Sequence, residues 1–165
     1  MKRIITTTFA LILLASIASA NDRGRGGPGG PEFGGQATVG SDGTLYISRT
    51  TVDTGTNTAT TTVTAIRSTG TTAWTATLSG RGGLRLSGSN LISVSETRAS
   101  DGTVTSTLTA LSTASGAVAW TRTISGDVSE LEPFSGGTYV ISVSSSTRSI
   151  AAIDNSGNVL WTVTA

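Results

Sequence analysis

Residues 152–164 read AIDNSGNVLWTVT, and the same pattern is written twice before, as AIRSTGTTAWTAT over residues 65–77 and ALSTASGAVAWTRT over residues 110–123. In each copy a glycine (Gly70, Gly116, Gly157) stands four residues ahead of a tryptophan (Trp74, Trp120, Trp161), and the tryptophans are 46 and 41 residues apart. Each copy is preceded by a second shared stretch: GTLYIS from Gly43, GSNLISVS from Gly88 and GGTYVISVS from Gly136. Short runs further upstream, ATVG, LRLS and LEPF, supply a fourth candidate strand per unit. Apolar and hydroxyl residues alternate through all of these runs and are broken by Asp-Gly, Gly-Gly and Ser-Gly, the pattern of antiparallel strands joined by hairpins. No helical period survives. The sequence therefore predicts an all-β domain over residues 37–165, made of three units at about 37–80, 83–126 and 127–165. A repeat length in the forties with four strands per unit is that of a propeller blade.

The motif Ala-Ile-Asp, a turn, then GxxxW, as in AIDNSGNVLW, resembles the repeat of the PQQ-like propellers. That group holds the quinoprotein dehydrogenases and an outer-membrane assembly lipoprotein. The resemblance covers residues 37–165 and implies four-stranded blades, three per chain, forming a partial or oligomer-closed propeller. Closed rings of this architecture have typically about four to eight blades. Membership in the group raises the question of a quinone cofactor, but the dehydrogenases resemble larger rings with a calcium-bound cofactor, and many carry an adjacent cysteine pair. This chain has no cysteine, and no cofactor is expected.

Outward from the repeats, MKRIITTTFALILLASIASA at residues 1–20 places Lys2 and Arg3 before an apolar run and ends Ala-Ser-Ala. This is the pattern of a cleavable secretory signal, and the run is too short for a membrane span. Residues 21–36, NDRGRGGPGGPEFGGQ, have the composition of a flexible tether. Cleavage after Ala20 removes Lys2 and Arg3, leaving 9 basic residues against 10 acidic ones and a net charge of −1. Such a balance argues against nucleic-acid binding. No Asn lies in an N-x-S/T sequon, which favours a bacterial envelope, periplasmic or extracellular, over a eukaryotic secretory route. No membrane insertion is expected of the processed chain.

The chemistry available is narrow. With no His, no Cys and the sole lysine at position 2, histidine-based triads, thiolate nucleophiles, Schiff-base lysines and imidazole metal sites are excluded. Glu130 and Glu132 in DVSELEP share a face if extended, which suits a cation or an acid–base pair; as a loop before Pro133 they are simply solvated, with Arg122 a possible counter-charge. Thr58, Thr60, Thr62 and Thr64, echoed by Thr103, Thr105, Thr107 and Thr109, line one face of a strand each. An array of that kind could bind ice, but the repeat length in the forties does not match the short coils of solenoids that do so. The three tryptophans read either as rings buried between blades or as a stacking platform, and their equivalent positions favour packing.

These readings converge on an exported, non-catalytic binding or scaffold module of the cell envelope. The alternatives are a self-associating structural or surface protein and a fragment of a longer quinoprotein-like propeller. The expected partner is an envelope protein or a second copy, two chains of three blades making a six-bladed ring.

Overall fold

The computed structural model describes residues 35–164 apart from 57 and 146, and among these it contains twelve strands and no helix. The expected signal segment and nearly all of the expected tether lie outside the described residues. The tether expected over residues 21–36 gives way to strand by its end, where Gly35 and Gln36 pair with Arg49 and Ser48. Gln36 is held there because its side-chain Oε1 accepts the Leu84 backbone N–H at 2.7 Å.

Three sheets follow in chain order, each a four-stranded antiparallel meander. The first holds β1 (Gly35–Val39), β2 (Leu45–Asp53), β3 (Thr58–Ile66) and β4 (Thr72–Ser79). The second holds β5 (Gly83–Ser87), β6 (Asn90–Arg98), β7 (Val104–Ser112) and β8 (Val118–Ser125). The third holds β9 (Asp127–Phe134), β10 (Gly137–Ser144), β11 (Thr147–Asp154) and β12 (Val159–Thr164). The fold is all-β, with the sheets arranged as propeller blades and not closed into a barrel. ATVG, LRLS and LEPF fall in the first strand of each sheet. Pro133 is tolerated in β9 because that strand is an edge, where a missing N–H breaks no ladder.

The apolar half of each alternating strand packs against the neighbouring sheet. One core joins Tyr46, Val63 and Ala65 of the first sheet to Leu84, Leu91 and Leu111 of the second. Another joins Ile92, Leu108 and Ala110 of the second to Leu131, Val140 and Ile153 of the third. A fully buried Leu such as Leu108 contributes roughly 1.5–3 kcal/mol, so the cores between sheets carry the fold. The two threonine rows run from exposed at Thr58 and Thr103 to half-buried towards Thr64 and Thr109.

Connections between sheets are fixed by buried hydroxyls at equivalent places. Thr61 Oγ1 donates to Gly80 O at 2.8 Å, and Ser106 Oγ donates to Gly126 O at 2.7 Å. Gly80 and Gly126 lie at φ +91° and +92°, a region that glycine enters without steric cost.

Candidate functional site

Each repeat turns on its glycine. Gly70, Gly116 and Gly157 have φ of 82°, 72° and 86°, and their N–H groups donate back to Arg67, Ser112 and Asp154 carbonyls at 2.8, 2.8 and 3.0 Å. The register slips by one residue directly before every tryptophan, at Ala65/Ile66, Ala110/Leu111 and Ala152/Ile153. A bulge of this kind re-aims the side chain that follows it. Here it turns the tryptophan towards the next sheet.

What the tryptophan meets there is the glycine turn of the next repeat. The Trp74 ring covers Gly116 so closely that a Cβ on that glycine would fall 2.5 Å from Trp74 Cε3, and Trp74 Nε1 donates to Thr113 O at 2.9 Å. Trp120 covers Gly157 in the same way, with a built Cβ at 2.8 Å, and Trp120 Nε1 donates to Asn155 O at 3.0 Å. Tyr46 packs against Trp74 with ring centroids 5.8 Å apart, and its hydroxyl approaches the same Thr113 carbonyl at 3.5 Å. Arg122, considered above as a partner of the glutamates, instead donates through Nε to Gly157 O at 2.7 Å. It therefore strengthens the second of these contacts.

The third sheet carries the same apparatus with nothing across from it. Trp161 is 45 % exposed, and Val163 and Leu160 beside it are exposed as well. The expectation that all three tryptophans are buried between blades therefore fails at Trp161, because no fourth sheet follows it among the described residues. Tyr139 occupies the place of Tyr46, each lying opposite the repeat alanine, Ala152 and Ala65. Tyr46 is 2 % exposed and Tyr139 is 36 % exposed. Phe134, Tyr139 and Trp161 form an aromatic row with centroid spacings of 4.6 and 5.7 Å. This row is the candidate site.

The acidic candidates border this row. Glu130 and Glu132 are on strand β9, not in a loop, and flank buried Leu131 so that both face outward opposite Ile141 and Tyr139. Among the described residues no cluster of three or more His, Cys, Asp or Glu forms a metal site. A carboxyl pair that sequence reading missed is Glu96 with Asp127. A hydrogen bond that the protonated Glu96 carboxyl donates to Asp127, then desolvation and charge repulsion, push the Glu96 carboxyl up to about 7 against the opposing pull of Arg98. Asp42, Asp53, Asp101 and Asp154 are held below the usual carboxylate range by hydrogen bonds from the turns they close. Asp154, for example, accepts the N–H groups of Ser156 and Asn158 at 2.9 and 2.7 Å. These carboxylates shape turns.

No helix among the described residues is long and apolar enough to cross a membrane. Compared with curated proteins, the chain has no match. The family model described as outer membrane protein assembly factor BamB matches residues 59–165. That span takes in the last two strands of the first sheet and the whole of the other two, including all three glycine–tryptophan repeats. With these blades and this repeat in place, the chain belongs to the BamB-type family of PQQ-like propeller-repeat proteins.

Proposed function

We propose that this protein is an exported, non-catalytic docking module of the bacterial cell envelope, and that it binds another protein through the apolar end of its third sheet. The observation that carries this reading is the row of half-buried Phe134 with exposed Tyr139 and Trp161, whose tryptophan is the group that the first two sheets use to hold a neighbour. Aromatic residues clustered at the centre of an apolar patch supply most of the binding energy at protein interfaces. The family's own description, an outer membrane assembly factor, supports an envelope setting, and the signal-like residues 1–20 support export. The lack of His and Cys supports a binding role rather than a chemical one.

A photo-crosslinking residue at exposed Val163 in living cells tests the reading. Expected are a chain beginning at Asn21, recovered from the envelope or medium, and an adduct with protein. An uncleaved chain in the cytosol, or irradiation that yields no protein adduct, would contradict it.

A further inference from the structure

We infer that the occupant of the third sheet's exposed face is the first sheet of a second copy, so that two chains pair head to tail. This deepens the docking reading above and rests on it. The fold itself displays, twice, what a tryptophan of this repeat binds: a turn whose left-handed glycine leaves room for the ring, and a carbonyl two or three residues ahead of it that accepts the indole N–H. The turn at the equivalent repeat position of the first sheet is uncovered. Gly70 has the same left-handed backbone, φ +82°, and a Cβ built there meets nothing within 4 Å. Ser68 stands where Thr113 and Asn155 stand in the other two turns, and it is exposed. Trp161 supplies the missing ring, and Tyr139 the hydroxyl that Tyr46 directs at the same carbonyl in the first contact.

The faces behind these turns match as well. In the second sheet Leu91 and Leu111, which pair with one another, are fully buried by the sheet before them. Leu45 and Ile66 are the corresponding pair in the first sheet, and they are only half-buried. One end of the chain thus carries a ring donor face and the other its receptor, both apolar.

Two copies related by a twofold axis would make both junctions at once.

The test uses purified full-length chain and light scattering across a wide concentration range, with wild type, Trp161→Arg and Ser68→Arg compared. Both substituted residues are exposed, and thermal melts establish that each variant is folded. The expected result is a wild-type mass of two chains that does not change with concentration, and a dimer dissociation constant raised roughly thirtyfold or more in each variant. Monomeric wild type at about 100 μM overturns the second copy as occupant while leaving the end face free for another protein, so the broader docking reading is judged separately by the experiment in cells. A mass that climbs with concentration overturns closure. Loss of the dimer in Trp161→Arg but not in Ser68→Arg overturns the head-to-tail arrangement, since it means that two third sheets meet. A photo-crosslinker at Tyr139 gives a readout independent of variant folding: attachment to residues 67–71 of the other copy is expected, and attachment to its third sheet contradicts the pairing.

Discussion

At the scale of single residues, three tryptophans in the same motif do two different amounts of work, and the difference lies in what each ring covers. Trp74 and Trp120 each lose an indole hydrogen bond and a packed ring on truncation, so Trp74→Ala and Trp120→Ala are each expected to cost about 3 kcal/mol in urea melts. Trp161→Ala in the dissociated chain is expected to cost distinctly less, about 1 kcal/mol, because that residue is nearly half exposed and covers no glycine turn among the described residues. The glycines provide the reciprocal experiment. Alanine at Gly70 meets only the backbone penalty for positive φ, roughly 1 kcal/mol. Gly116→Ala and Gly157→Ala add a collision with the covering indole and should cost distinctly more. Equal losses at all three glycines would contradict the ring-on-turn contact. A separate liability sits in β10, where the Thr138 hydroxyl is buried without a hydrogen-bond partner among the described residues. Thr138→Val is expected to raise stability by about 1 kcal/mol, since an unsatisfied buried polar group costs of that order.

At the scale of strands and turns, the sheets are held in register by features that repeat with the sequence. The bulge before each tryptophan and the hydroxyl that grips the connecting glycine recur in equivalent places. Ser106→Ala leaves the Gly126 carbonyl without its donor and takes an acceptor from the Val128 N–H, and a loss of about 1–2 kcal/mol is expected on denaturation. The carboxylates of the turns give a pH signature. Asp42, Asp53, Asp101 and Asp154 have lowered pKa values in the folded chain, so the stability they add is present above about pH 4 and lost as the pH falls further. Glu96 acts in the opposite sense. Its carboxyl is raised from 4.5 to about 7, so its contribution is full below 4.5 and declines as the pH rises to about 7. Glu96→Gln should flatten that decline, and an unchanged slope between pH 4.5 and 7 would show that the Asp127 contact does not form. Much of this level was legible in the sequence. The alternation and the turn glycines predicted the meander, and LEPF proved to be a strand despite its proline because it lies on an edge. The Glu96–Asp127 pair was not legible, because it joins the second sheet to the first strand of the third across 31 residues and no local pattern marks it.

At the scale of the whole molecule, the three like sheets of the described residues present two unlike faces, one at the first sheet and one at the third. The repeat revealed the number of blades and the motif that joins them. It did not reveal which way the tryptophan points, because a period carries no direction: the ring could have packed on the turn before it or on the one after. That direction decides that the third sheet ends in an aromatic row while the first ends in an empty turn. It also explains why Trp161 departs from its sisters. Glu130 and Glu132, the acidic residues most conspicuous in the sequence, lie on β9 opposite Ile141 and Tyr139, so Glu132 borders the aromatic row. The central claim, that each tryptophan clamps the glycine turn of the next sheet, is tested most directly by hydrogen exchange at the three indole N–H groups in the Ser68→Arg variant at low micromolar concentration. The account predicts slow exchange at Trp74 and Trp120, which are bonded to Thr113 and Asn155, and fast exchange at Trp161. Three indoles exchanging at one common rate would contradict it.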